Sequence, residues 1–177
     1  MKKTIILIVS VVLVLSTCLP FASALTTEGM PNETGLSSLS DMKVGDTIYV
    51  GETAITKGSD DDIGPSTPTS RAVVEGFTVN FGGSTSVDKT LTLNSTYRYF
   101  YIKIVNTGNN TISMTIGNDS TTQSNNFHQF PKGTYYVWST NQWPASSQGV
   151  SFSSNNGMYG NAYAYLCSTL AEAEAHN

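Results

Sequence analysis

The sequence has little charge, few histidines and few cysteines. Only 12% of its 177 residues are charged, and it contains two histidines and two cysteines. A net charge of −4 lacks the basic surface that non-specific nucleic-acid binding needs. So few histidines leave little from which to assemble a Ser-His-Asp arrangement, and the G-x-S-x-G and H-E-x-x-H motifs are absent. We therefore predict a protein that is not an enzyme, requires no cofactor and binds no nucleic acid.

The remaining candidates for catalysis or metal binding are weak. His128 lies in a stretch that ends at Pro131, where a structural or solvent-facing role is expected, and His176 is next to the C-terminus. The run Asp60-Asp61-Asp62 has the oxygen ligands that Ca²⁺ prefers, but it lacks the alternating spacing of an EF-hand loop. We interpret the run as a solvated segment, with calcium binding as the alternative, and predict no metal site.

Small polar residues are abundant instead, because Ser, Thr and Asn account for 59 residues. Their side chains compete for backbone hydrogen bonds and disfavour helices, whereas Thr suits a half-solvated strand. An aromatic content of 10% supplies the apolar area of a core, which argues against a disordered chain.

The first 24 residues have the pattern of a secretory signal peptide. Lys2 and Lys3 form a positive start, residues 4–15 are almost wholly apolar, and Ala22-Ser23-Ala24 supplies a cleavage site of small residues. We predict cleavage after Ala24, an extracellular location and no membrane span in the mature chain.

The two cysteines have different expected fates. Cys18 ends a stretch that looks like a lipoprotein signal, but Thr17 and the apolar residues 19–21 depart from that pattern, so lipidation is the less favoured alternative. Cleavage after Ala24 changes the net charge from −4 to −6 and leaves Cys167 without an intramolecular partner. Cys167 is then either buried or available for an intermolecular bond.

Aromatic residues divide the mature chain near residue 71. Residues 25–70 contain one aromatic, Tyr49, whereas residues 71–170 contain 16. We predict a flexible or weakly structured N-terminal arm over 25–70, a folded domain over 71–170 and a short C-terminal tail over 171–177.

The folded domain has the pattern of β-strands. Apolar and polar residues alternate with a period of two, which is typical of strands with one buried face, and Gly- and Asn-rich turns separate them. We count about seven strands and predict an antiparallel β-sandwich. The clearest alternating apolar sets are Phe77/Val79/Phe81, Leu91/Leu93, Ile112/Met114/Ile116 and Val150/Phe152.

Rows of tyrosines are the strongest candidate for a binding surface. Alternation places Tyr97, Tyr99 and Tyr101 on one face of a strand, and Tyr163 and Tyr165 on one face of another. Exposed tyrosines would offer rigid contact area to sugar rings, but a buried row would only stabilise the sheet. A second candidate is a loop containing Trp138 and Trp143, which could equally close one end of the sandwich.

The general plan resembles small exported β-sandwich proteins of Gram-positive bacteria, without a motif that assigns residue roles. We predict a secreted, non-enzymatic binding module for a glycan or the cell-envelope surface. The alternative is a self-assembling extracellular or matrix protein that associates through Cys167 or through exposed strand edges. A secreted toxin or bacteriocin-like protein is a less favoured third hypothesis.

Overall fold

A computed structural model of the protein describes residues 39–66, 73–117 and 127–175. In these ranges the predicted all-β class is confirmed, with eight strands after residue 71 where about seven were expected. The strands are β1 (Thr47–Val50), β2 (Thr53–Lys57), β3 (Val73–Asn80), β4 (Ser86–Thr92), β5 (Tyr99–Asn106), β6 (Ile112–Ile116), β7 (Phe127–Phe130), β8 (Gly133–Ser139), β9 (Ser147–Ser153) and β10 (Gly160–Cys167), and they are followed by a helix, α1 (Leu170–Ala175).

The strands form two antiparallel sheets, as the sandwich prediction requires. The six-stranded sheet has the order β1-β2-β8-β5-β10-β3, and the four-stranded sheet has the order β4-β9-β6-β7. From β3 onward the pairs are nested, since β3 pairs with β10, β4 with β9, β5 with β8 and β6 with β7. A long hairpin rolled up into two sheets in this way has the topology of a jelly roll.

Alternating apolar side chains fill the space between the sheets. In β6, buried apolar residues alternate with half-buried Ser and Thr. Phe152 of the four-stranded sheet meets Phe77 and Phe81 edge to face, with ring centroids 6.3 and 5.3 Å away. The period of two that predicted the strands is therefore the pattern of this core.

The segment before residue 71 is more ordered than the sequence suggested. Strands β1 and β2 extend the six-stranded sheet, and β2 pairs with β8 from Thr53 to Lys57. Ala54 and Ile55 are both buried. The segment has few apolar residues of its own, but it is ordered because it adds them to a core that the rest of the chain supplies. Residues 25–38 and 67–72 of the predicted arm, like the predicted signal peptide, lie outside the described residues.

The C-terminal tail forms α1, which a capping box stabilises. The Glu172 backbone N–H donates to Thr169 Oγ1 at 3.3 Å, and Glu172 Oε2 accepts from the Thr169 N–H at 3.1 Å. Ala173 of α1 belongs to the same buried cluster as Cys167. No helix within the three described ranges is long and apolar enough to cross a membrane.

Candidate functional site

The predicted tyrosine rows lie on the side of the six-stranded sheet that faces away from the sandwich core. Backbone register places Tyr165, Tyr101 and Trp138 side by side on β10, β5 and β8, and a second row contains Tyr163, Lys103 and Tyr136. We call these six residues the aromatic face. The Tyr101 and Tyr165 rings are stacked, with centroids 4.7 Å apart and an interplanar angle of 23°.

Two elements outside the sheets cover the aromatic face. The first is the stretch of residues 58–66, which we call the cover segment, and the second is α1. The Ser66 carbonyl of the cover segment accepts a hydrogen bond from the Tyr165 hydroxyl at 2.8 Å. Ala173 of α1 packs in a cluster with Tyr101, Trp138 and Tyr165.

The cover makes three of the predicted contact residues, Tyr101, Trp138 and Tyr165, inaccessible in the folded chain. Tyr101 is 1% exposed and Tyr165 is 6% exposed, and burial raises the pKa of both hydroxyls. Tyr99 and Tyr163 are half-buried. The tyrosines on one face of these strands thus form a second, smaller core rather than an open ladder.

Tyr97 departs from the expected row. The Asn94 side chain accepts hydrogen bonds from the backbone N–H groups of Thr96 and Tyr97, at 2.8 and 3.0 Å, which forms a turn ahead of β5. Alternation begins only at Tyr99, so Tyr97 packs against the core between the sheets and not with the aromatic face.

The two tryptophans do not form one site. Trp138 lies within β8, is 4% exposed and belongs to the aromatic face, where its Nε1 donates to Thr56 Oγ1 at 3.2 Å. Trp143 lies in the following loop and packs edge to face on Phe100 in the main core, with centroids 5.0 Å apart. Trp138 and Trp143 therefore lie on opposite sides of the six-stranded sheet and do not form a common rim. Trp143 instead packs in the main core and helps to close one end of the sandwich.

A lysine is buried in the middle of the aromatic face. Lys103 is fully buried, and its Nζ donates to Asp62 Oδ1, while the Tyr136 hydroxyl donates to Asp62 Oδ2. Partial burial raises the pKa of the Asp62 carboxyl, but the hydrogen bonds from Lys103 and Tyr136 outweigh it and hold that pKa below its ordinary value. Asp62 therefore links the cover segment to the sheet as a charged group.

The acidic run is used for ion pairs. Asp60 Oδ1 accepts from Lys57 Nζ at 3.0 Å, which lowers the pKa of the Asp60 carboxyl. Two of the three predicted candidate oxygen donors for calcium, Asp60 and Asp62, are thus held by lysines. Within the described part of the chain, no three His, Cys, Asp or Glu residues are grouped so that they could hold a metal ion.

His128 has a structural environment. It lies in β7 and is 3% exposed, and its Nε2 is 3.1 Å from Thr53 Oγ1 in the other sheet. Since the Thr53 hydroxyl donates its proton to the Val50 carbonyl at 2.9 Å, the Nε2–H of His128 is the donor to Thr53. Burial lowers the pKa of His128 to about 4, so the ring is neutral at pH 7.

The outward side of the four-stranded sheet is open and mainly polar, although its rows also contain Phe127, which is 42% exposed, and the charged Asp88. Register places Ser153, Ser113 and Gln129 in one row, and Ser151 and Thr115 in the next. These residues are exposed or half-buried. We call these five residues the polar face.

A cleft of about 340 Å³ lies at one end of the polar face, and only uncharged amide and hydroxyl side chains line it. Two loops that cross between the sheets form its walls, one from β5 to β6 and one from β9 to β10. The Asn110 side chain joins them by donating to the Asn156 and Gly157 carbonyls at 3.1 and 3.2 Å. The lining residues are Asn109, Asn110, Thr111, Ser113, Gln129, Ser153, Ser154, Asn155 and Asn156.

Sequence reasoning missed this cleft because its residues were interpreted as ordinary turns and as the wet side of strands. The only signal was the concentration of Asn in the two turns, residues 106–110 and 155–157.

No protein-family model, curated protein or solved structure matches the chain.

Proposed function

We propose that the protein is a secreted, non-enzymatic binding module for a neutral glycan of the cell envelope, and that the cleft on the polar face holds the sugar. The lining of the cleft carries the proposal. Sugar hydroxyls donate and accept hydrogen bonds, and Asn, Gln, Ser and Thr offer both functions without charge. An uncharged lining suits a neutral saccharide, because no ionic group has to be desolvated on binding.

The cleft is also built to hold its shape, which lowers the entropic cost of binding. Asn106 Nδ2 donates to the Asn110 and Phe130 carbonyls at 2.8 and 3.1 Å, which fixes one turn against β7. The Asn110 bonds to Asn156 and Gly157 then fix the second turn. Asn109, Asn155 and Asn156 remain exposed at the mouth of the cleft.

The test is a pulldown of the protein with insoluble neutral polysaccharides. A Gln129→Ala/Asn155→Ala variant should bind about tenfold or more weakly, because each lost hydrogen bond contributes about 1 kcal/mol. The matched control is Thr90→Ala/Thr92→Ala, which removes two exposed hydroxyls from β4 of the same sheet, away from the cleft. Equal binding by both variants and the parent chain would remove the cleft from the proposal.

The second candidate function, self-assembly in an extracellular matrix, is favoured by one strand edge. β1 is an outer strand of the six-stranded sheet, it carries no charged residue, and its Tyr49 is 58% exposed. Cys167 is fully buried, so the strand edge is the route open to the folded chain. Light scattering at high concentration should then show oligomers that Tyr49→Lys suppresses, and a strict monomer contradicts this alternative.

A further inference from the structure

We propose that the aromatic face is a second ligand site, for a saccharide that carries a carboxylate, and that Asp62 of the cover segment occupies the carboxylate position when no ligand is bound. The site lies on the opposite sheet from the cleft and shares no residue with it. The proposal therefore does not rest on the function proposed above, and either can fail alone.

Lys103 is the first observation behind this proposal. Its side chain is fully buried, and a buried ammonium group requires an anionic or strongly polar partner. That partner is Asp62, which comes from the cover segment and not from the sheet. A ligand carboxylate in the same place would meet the same two donors, the Lys103 ammonium and the Tyr136 hydroxyl.

The surroundings of Lys103 favour a sugar ring over other carboxylates. The half-buried Tyr163 lies opposite Lys103 in the same row and offers an aromatic ring beside the ammonium group. Ser66 of the cover segment is the polar neighbour of the buried Tyr101 hydroxyl. A sugar hydroxyl would take its place when the segment is displaced.

The cover segment is suited to being displaced. Its large apolar side chain, Ile63, points into solvent and is 59% exposed, so it adds little to the buried cluster. From residue 62 onward its side-chain and carbonyl contacts with the sheet are those of Asp62 and the hydrogen bond from Tyr165 to the Ser66 carbonyl. Gly58, at the start of the segment, stays anchored by its backbone hydrogen bond to the Thr134 carbonyl. Segments with few buried apolar contacts open locally at low free-energy cost.

The test replaces Asp62 and supplies the carboxylate from solution. In Asp62→Ala, D-glucuronate should raise the midpoint of thermal unfolding by about 4 °C at ten times the dissociation constant, with a logarithmic dependence on concentration above it. D-glucose, its neutral match, should give a clearly smaller rise. Equal effects of glucuronate and glucose on Asp62→Ala would overturn the proposal.

Two further arms identify the groups involved. Adding Lys103→Met to Asp62→Ala should abolish the difference between glucuronate and glucose, and a difference that persists would overturn the role of Lys103. Benzoate should stabilise Asp62→Ala less than glucuronate does. Equal stabilisation by benzoate would overturn the assignment to a saccharide.

The unmodified chain gives an independent measurement if Asp62→Ala does not fold. Excess glucuronate, compared with glucose at the same concentration and ionic strength, should speed amide hydrogen exchange in residues 59–66 as the ligand replaces Asp62. Exchange in β6 and β7 should be unaffected. Unchanged exchange of the cover segment at saturating glucuronate would count against the site.

Discussion

At the scale of the residue, His128 shows how burial fixes a protonation state. The ring lies between the two sheets and donates to Thr53, so a second proton has to be accommodated in a nearly solvent-free place. Its pKa in the folded state is about 4, against 6.5 for an unperturbed histidine. The folded chain therefore binds fewer protons at His128 than the unfolded chain does between these two values.

Stability should consequently fall as the pH falls from 6.5 to 4, because the unfolded state binds more protons in that window. The shift corresponds to about 3 kcal/mol at full effect. His128→Gln, which can still donate to Thr53, should flatten this dependence in urea unfolding measured at a series of pH values. His176→Gln is the control, and a slope unchanged by His128→Gln would contradict the assignment.

At the scale of the element, α1 protects Cys167. Burial, with a smaller effect of the Glu172 carboxylate, raises the pKa of the Cys167 thiol to about 12. The helix has only six residues, so its stability depends on the capping box and on the packing of Ala173. Glu172 Oε2 accepts from the backbone N–H groups of both Ser168 and Thr169.

Loss of the cap should therefore expose the thiol. In Glu172→Ala, alkylation at the Cys167 peptide should be about fivefold faster, since a lost cap costs about 1 kcal/mol and labelling follows the open population. Glu172→Gln keeps the capping hydrogen bonds without the charge and should label slowly. Fast labelling of Glu172→Gln would show that charge, not the cap, protects Cys167.

The start of β10 depends on a glycine. Gly160 has φ +119°, and a Cβ there would lie 1.9 Å from the Val105 carbonyl oxygen. Gly45 also has a positive φ, of +90°, but its Cβ would meet nothing within 4 Å. Comparing substitutions at the two positions therefore separates the cost of a strained backbone from the cost of steric overlap.

Gly45→Ala should cost about 1–2 kcal/mol, the strain of a left-handed backbone in a residue with a Cβ. Gly160→Ala should cost clearly more, because β10 must also move away from β5. The free energies of unfolding of the two variants, measured in urea, test this. Similar losses in both would mean that the backbone at Gly160 relaxes freely.

The elements also show what the sequence can and cannot predict. The period of two identified the strands correctly because each strand has one face in the core, as β6 does. The alternation could not show that the outward face of β5 is covered. The covering contact comes from Asp62, which is 41 residues away from Lys103 in the chain. Alternation also indicated a strand at residues 44–50, which contains β1, but composition could not place β2, whose order depends on pairing with β8.

At the scale of the whole molecule, the jelly-roll topology gives the two sheets different environments. Additional chain, in the form of the cover segment and α1, closes the outward side of the six-stranded sheet. The four-stranded sheet keeps its polar face open, and the cleft lies there. Ser, Thr and Asn supply nearly all of the lining of the cleft that we propose for binding a neutral glycan.

The most direct test of this account is amide hydrogen exchange of the protein with and without a soluble fragment of the neutral polysaccharide that it binds. We predict slower exchange in residues 109–113 and 153–156, around the cleft, and unchanged exchange in 97–101 and 161–167. Protection of the tyrosine strands alone, with the cleft unaffected, would contradict the account.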